Sequence, residues 1–446
     1  MLSIKSFIIA LSLIWSFLLF RPRVQAQDTL RFAEAAQIAL ENNFGIQIAK
    51  KNAQTRTNNA TRGNAGLLPT VTATGNLSYA NNNTKLQIAD EQGPFDINQT
   101  GASTFTSGAN ITANYTLFDG WVSLRTYQRL KLDAEAGQVQ VQQTIENVLL
   151  NLANAFYTLA RQTENLRIAQ ESVDISRERW LRAQNRNDFG QNNRLAVLNA
   201  EVDLNTDSIA LVSTQLVVEN IRRTFNQILG RDLNTDFTVS TEANPRFDWN
   251  LDTLLLDLRQ NSAVIRTAQY NQALAELDLK IAEAGRFPRL NLSAGYAYNR
   301  QKNEVGLLLV NRNYGFNLGA SLSFDIYGGG RKNLQIQNAQ LGIETRKQQV
   351  QEALLVAEQN LRNAFATYQN RQYILQMEAR NLKTAEANFS RTQELFNFGQ
   401  STNTEFREAQ LNLIQAKNRL AAARFDAQLS EIELLQITGK IIKEIP

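Results

Sequence analysis

Glu405 and Glu408 stand three residues apart, so a helix places both carboxylates on one face. Such a pair can do general acid and base work, but no recognisable pocket encloses this one. Thr402-Asn403-Thr404-Glu405 also gives a local reason for the first acid, because it reads as a capping box at a helix start. The 446 residues contain no histidine and no cysteine. Their absence excludes thiol and imidazole nucleophiles, His-based triads, and thiolate or imidazole metal sites. Gly328-Gly329-Gly330-Arg331-Lys332 resembles a phosphate loop only in its glycines, and it lacks the Walker spacing and hydroxyl. It reads as a tight strand-to-helix junction. No catalytic residue, metal site or cofactor is assigned, and the chain is not expected to be an enzyme.

Residues 1–26 read as a secretory signal. Lys5 precedes an apolar run from Phe7 to Phe20, and Val24-Gln25-Ala26 supplies small-residue cleavage chemistry. The mature chain is expected to start at Gln27. Removing Lys5, Arg21 and Arg23 from the 46 basic residues leaves 43 against 42 acids. The basic balance therefore says little about nucleic acid. No later apolar stretch is long enough for a transmembrane helix, so a membrane would have to be crossed by strands.

The chain is two copies of one unit. Asn154-Ala155-Phe156 matches Asn363-Ala364-Phe365, Phe189-Gly190-Gln191 matches Phe398-Gly399-Gln400, and Gly230 matches Gly439, each 209 residues on. Ala65-Gly66-Leu67-Leu68-Pro69 resembles Ala284-Gly285-Arg286-Phe287-Pro288 at an offset of 219. Each copy reads helix, strand, strand, long helix, turn, long helix. The first repeat is 27–230, with strands about 69–80 and 105–118 and long helices about 121–187 and 193–229. A linker of 231–250 follows. The second repeat is 251–440, with strands about 288–299 and 314–324 and helices about 331–396 and 402–438, before a tail of 441–446. The opening helices, about 30–66 and 251–286, are each stopped by a proline.

The strands alternate strictly. Val71, Ala73, Gly75, Leu77 and Tyr79 oppose Thr70, Thr72, Thr74, Asn76 and Ser78. Ala109, Ile111, Ala113, Tyr115 and Leu117 behave alike, as do the runs around Tyr296 and Phe316. Period two means one apolar and one polar face, at a length that crosses a bilayer when tilted. Tyr79, Tyr115, Phe118, Tyr296, Tyr298 and Phe324 fall near run ends, where membrane-interface aromatics sit. Four strands in lipid leave two open edges, so other protomers must close the wall. Eight strands leave a barrel filled by side chains, whereas three protomers give twelve and a water-lined lumen.

The long helices carry a heptad stripe, Ile145, Leu149, Leu152, Phe156, Leu159, Leu166, Val173 and Trp180 in the first copy. Residues 121–187 would make a helix on the order of 100 Å long. The alternative to a channel is a non-conducting periplasmic or surface coiled-coil scaffold, which has no use for strands of lipid-crossing length.

In these features the chain resembles the TolC-like outer-membrane efflux family. The resemblance covers nearly all of the mature chain. It rests on the duplicated element order, the helix-to-strand prolines, the Leu117-Phe118-Asp119-Gly120 step from strand to helix, and the Phe-Gly turns. It implies a mainly α fold with β strands: a homotrimer whose twelve-stranded outer-membrane barrel continues as a long α-helical periplasmic barrel. It implies a passive exit duct in a tripartite efflux or type I secretion system. The partners would be a periplasmic adaptor, an inner-membrane transporter or secretion ATPase, and outer-membrane lipid.

The resemblance also implies roles for particular residues. Phe189, Gly190, Gln191, Phe398, Gly399 and Gln400 would be the tip turns that meet the adaptor. Glu405 and Glu408 would narrow the periplasmic entrance and bind cations. Their equivalents in the first copy are Ala196 and Asn199, which a purely local helix-start requirement does not explain. Much of the salt-bridge latch that the resemblance implies is missing, with Ala196 in place of an acid and Ser401 in place of a basic residue. Arg194 and Arg407 are candidate substitutes, and a solvated-face role is the preferred reading of both.

Overall fold

The computed structural model describes residues 29–444 except 91–92, 190–193 and 305–307. The expected signal segment therefore lies outside the described residues. In chain order the elements are β1 (Thr29–Leu30), α1 (Phe32–Asn42), α2 (Phe44–Asn59), β2 (Thr70–Asp90), β3 (Gly93–Phe118), α3 (Val122–Asp188) and α4 (Arg194–Leu229). They continue with β4 (Thr238–Val239), α5 (Leu251–Asn261), α6 (Ala263–Ala284), β5 (Arg289–Asn303), β6 (Val310–Ser323), α7 (Arg331–Asn397), α8 (Asn403–Ile437) and α9 (Ile441–Glu444). The order repeats, and α3 and α7 have the same length of 67 residues.

The helix expected over 30–66 is two helices. Asn43 takes extended geometry between α1 and α2 (ψ 124°). Its side-chain amide donates to the Ile228 carbonyl at 2.8 Å, and its side-chain oxygen accepts from the Ile46 N–H at 3.2 Å. The asparagine thus ends one helix and caps the next. The second repeat breaks at the equivalent place, Ser262 (ψ 119°), which again separates two helices.

The strands also run past their alternating segments. β2 and β3 stay in antiparallel register out to Asp90 and Gly93, with one irregularity between Asn82 and Thr84. Asn81-Asn82-Asn83 is polar on both faces and interrupts the period-two signal, which resumes on the even positions at Leu86 and Ile88, opposite Ile97 and Phe95. The ladder of backbone hydrogen bonds carries the strands across the gap.

Two compact units divide the chain. Among the described residues the first comprises 29–46, 145–254 and 361–444. Its core gathers Phe32, Leu149, Leu152, Phe156, Leu159, Phe225, Phe425 and Leu435 from α1, α3, α4 and α8. Phe32 and Phe156 meet edge to face at 5.7 Å. Thus Leu149, Leu152, Phe156 and Leu159 of the heptad stripe on α3 are core here, with Ile145 and Leu166 packed against them. A small parallel sheet pairs Thr29 with Thr238 and Leu30 with Val239. Glu431, buried on α8, holds the inter-repeat linker. It accepts from the Arg246 backbone N–H and Nε, both at 3.0 Å, and from Trp249 Nε1 at 3.2 Å.

The second unit comprises 47–144 and 255–360 and holds one four-stranded antiparallel sheet, ordered β2-β3-β5-β6. Among the described residues no helix is long and apolar enough to cross a membrane.

Candidate functional site

The sheet sorts its side chains by face, and the register carries that sorting across all four strands. Directly opposed residues share a face, giving the rows Val71–Ala113–Ala294–Leu318, Ala73–Ile111–Tyr296–Phe316 and Gly75–Ala109–Tyr298–Tyr314. The other face reads Thr70–Asn114–Ser293–Gly319 and Thr72–Thr112–Gly295–Asn317. Leu77, Ile111, Tyr296, Phe316, Leu318 and Leu322 are exposed in the single chain. From Leu290 to Tyr298 the apolar band runs about 27 Å along β5, which at a barrel tilt of about 40° covers about 21 Å of the roughly 25 Å lipid-facing height of a transmembrane barrel. Among the described residues each outer strand, β2 and β6, has one unpaired edge.

The six interface aromatics fall at different levels of this sheet. Tyr115 pairs with Leu292 and Phe118 with Leu290, near the helix end. An irregularity between Thr116 and Phe118 shifts Phe118 onto the apolar face, which strict alternation would have denied it. Phe324 follows β6 at the same end and is exposed. Tyr298 faces Tyr314 near the far end, Tyr296 lies one row inside, and Tyr79 faces Phe105 beyond them.

The step from β3 to α3 is tightly built. Gly120 has φ 71° and Trp121 φ 75°, so two successive residues take left-handed geometry. A Cβ on Gly120 would lie 2.4 Å from the Ala284 carbonyl oxygen. Asp119 caps α3 by accepting from the Ser123 N–H at 2.8 Å. The glycine run 328–330 likewise lies at a strand-to-helix step, as read from the sequence.

At the α7–α8 turn, Gly399 (φ 74°) sits in a Schellman motif. Its N–H donates to Phe396 at 3.1 Å, and that of Gln400 donates to Leu395 at 2.8 Å. Phe398 is 78% exposed and Phe189, at the end of α3, is 82% exposed. Gly190 and Gln191 lie outside the described residues. Beneath the α7–α8 turn Phe389, Phe396 and Phe406 form a separate aromatic cluster.

Glu405 and Glu408 are both exposed on the first turns of α8. The capping box is formed: Glu405 Oε2 accepts from Thr402 N at 2.7 Å and Ser401 Oγ at 2.9 Å, while Thr402 Oγ1 accepts from Glu405 N at 3.2 Å. The Thr402 N–H first, then the Ser401 and Thr402 hydroxyls, hold the Glu405 carboxyl below its ordinary range.

Arg407 is not a solvated cation. It points into a buried polar network that joins α3, α4 and α8. Its guanidinium is bidentate on Asp207, at 2.7 and 2.9 Å. Asp207 also accepts from Ser172 at 3.2 Å and Ser176 at 2.5 Å. Gln410 donates to Ser176 at 3.0 Å. Alongside, Arg179 pairs with Asp203, its side chain only 2% exposed. Burial alone pushes the Asp207 carboxyl up, but the donors Arg407 and Ser176 outweigh it and hold the group below the usual carboxylate range. Arg194 starts α4 and is exposed.

The family model for outer membrane efflux proteins matches residues 35–231 and 254–440, one segment per repeat. The chain belongs to the outer membrane efflux protein family. It is 20% identical over 342 residues to the outer membrane protein TolC of Vibrio cholerae, across 76% of this chain and 77% of that one. It is 21% identical over 408 residues to the toluene efflux pump outer membrane protein TtgC of Pseudomonas putida, across 90% and 81%. The fold matches the outer membrane protein VceC of Vibrio cholerae with a TM-score of 0.72 at 15% identity, covering 92% and 96% of the two chains. It matches the Campylobacter jejuni CmeC outer membrane channel with a TM-score of 0.73 at 16% identity, covering 92% and 86%.

As a member of this family, the chain is an outer-membrane channel protein with its helical part in the periplasm, and not an enzyme. The alternating strand faces of the efflux protein are legible in its sequence, but the Arg407–Asp207 network is not. A signal was present: Ser172, Ser176 and Arg179 recur at helical spacing on α3, as do Asp203 and Asp207 on α4. Nothing in the sequence said that those two faces and that of Arg407 meet.

Proposed function

We propose that three copies of this chain close a twelve-stranded barrel and form the exit duct of a tripartite efflux or type I secretion system. An inner-membrane pump would deliver small molecules or proteins through a periplasmic adaptor. One observation carries the reading: a four-stranded sheet with an exposed apolar face, an opposite polar face and two open edges. In lipid each edge would leave a row of backbone groups unpaired, so neighbouring copies must cap it.

A second feature supports assembly. Leu195, Leu198, Val202, Ile209, Val212 and Leu216 repeat at heptad spacing along α4 and are exposed in the single chain. A helix of a neighbouring protomer would cover them. At the turns, exposed Phe189 and Phe398, with Gly190, Gln191, Gly399 and Gln400, would meet the adaptor. Glu405 and Glu408 of each copy would line the entrance and favour cations. The aromatics Tyr79, Tyr115, Phe118, Tyr296, Tyr298 and Phe324 would sit at the membrane interfaces.

Planar bilayers test the reading. Purified protein is expected to run as a trimer and to give discrete, cation-favouring conductance. Val202→Asp with Ile209→Asp is expected to abolish the trimer while leaving the helical circular-dichroism spectrum unchanged. Intact preparations that never conduct would support the scaffold alternative.

A further inference from the structure

Above the tyrosine row, the apolar face of the sheet turns basic. Arg300 on β5 lies directly opposite Arg312 on β6, and the next row pairs Lys302 with Val310. By register these residues share a face with Tyr298, Tyr314 and Phe316. All three cations are exposed. No side chain of the three makes a hydrogen bond or salt bridge among the described residues. Glu304, just past the end of β5, is bound by the Ser103 hydroxyl and is felt electrostatically by Lys302, so Arg300 and Arg312 are left with each other. Like charges directly opposed across a ladder are destabilising, so the sheet carries a cost here that its own side chains do not offset. In the same row β3 and β2 carry Ser107 and Leu77, so within this row the cations sit on the second hairpin alone.

The row lies at a defined depth. The opposite ends of the strands lead into the helices, and the helical part lies in the periplasm, so this end of β5 and β6 faces the outer leaflet. Arginine forks match phosphate oxygens two at a time, and cations at a membrane surface attract anionic lipid.

We infer that Arg300 and Arg312, with Lys302 beside them, form a docking site for a phosphate-bearing lipid headgroup of the outer leaflet. Its acyl chains would lie along the band of Phe316, Leu318 and Leu322. The inference rests on the reading that the apolar face meets lipid. It extends that reading by giving the boundary a chemical preference: a phosphate monoester seated between two guanidiniums, once per protomer.

Full-length protein in phosphatidylcholine nanodiscs can be offered lipid A carrying its phosphates, or the same glycolipid with them removed. Native mass spectrometry then counts retained glycolipid. Retention of the phosphorylated form is expected to exceed that of the stripped form by about tenfold. Arg300→Gln with Arg312→Gln is expected to erase this preference while trimer yield and conductance stay as in the parent. Equal retention of the two lipids by the parent, or a preference that survives in the double variant, overturns the inference and leaves the barrel standing. A parent that neither inserts nor conducts overturns both.

Discussion

Arg407 on α8 grips Asp207 on α4 with both arms of its guanidinium, across 200 positions of sequence. The pair is largely buried, and Ser172, Ser176 and Gln410 complete its hydrogen bonding. Removing one partner strands the other charge away from water. Asp207→Leu is expected to cost about 3 kcal/mol in denaturant unfolding, and Asp207→Leu with Arg407→Leu to recover most of that. A double variant no more stable than the single one would show that the two charges do not offset each other.

The same carboxylate sets an acid limit. Asp207 titrates below its ordinary value in the folded chain. Its contribution is therefore complete above the unfolded-chain value of about 3.9 and is lost as pH falls through the lower folded value. Between neutral pH and about pH 4 this group leaves stability unchanged. Below that, Asp207→Asn is expected to show a shallower loss than the parent, read as unfolding midpoints across an acid series. Parallel curves would mean that another group titrates.

Glu405 caps its own helix and is also proposed to face the entrance, and two substitutions separate these roles. Glu405→Ala removes both the capping-box partner and the charge, and is expected to lower the unfolding midpoint. Glu405→Gln keeps a capping-box residue at that position but removes the charge. Glu405→Gln with Glu408→Gln is expected to shift the reversal potential in a salt gradient toward weaker cation preference. An unmoved reversal potential retires the constriction.

Gly120 admits no side chain. Its positive φ disfavours one, and the Ala284 oxygen occupies the space. Gly120→Ala is expected to cost about 3 kcal/mol, read as a loss of trimer in the outer membrane. Gly329 also has a positive φ (63°), but no atom stands within 4 Å of its would-be Cβ. Gly329→Ala is expected to cost only about 1 kcal/mol. Equal losses would mean that conformation, and not the close approach, sets the cost.

Glu431 ties down the linker through Arg246 and Trp249, and Tyr368 adds a hydrogen bond from its hydroxyl to the Arg246 carbonyl at 2.8 Å. Glu431→Ala is expected to cost about 2 kcal/mol and to speed tryptic cleavage after Arg246. A cleavage rate equal to the parent's would show that the linker is held elsewhere.

Local pattern made much of this protein legible in its sequence. Duplication was visible because paired motifs keep constant offsets. The strands were visible where one face must be apolar and the other polar, and they vanished from view at Asn81, where both faces are polar. The helix breaks at Asn43 and Ser262 were missed because each depends on backbone geometry within an otherwise helical segment. Phe118 joined the apolar face only through an irregular register that alternation does not report.

By itself the sequence determined the periodicities: which faces are apolar, where prolines and glycines stop helices, and which acids can cap them. Those are local properties of the chain, set by side-chain spacing and backbone sterics. Tertiary structure alone decided the long-range partnerships. Arg407 looks like any exposed cation until α8 packs beside α4. Arg300 and Arg312 become a like-charged pair only when β5 and β6 fall into register. Charge acquires meaning from its neighbours and their burial, and folding supplies both.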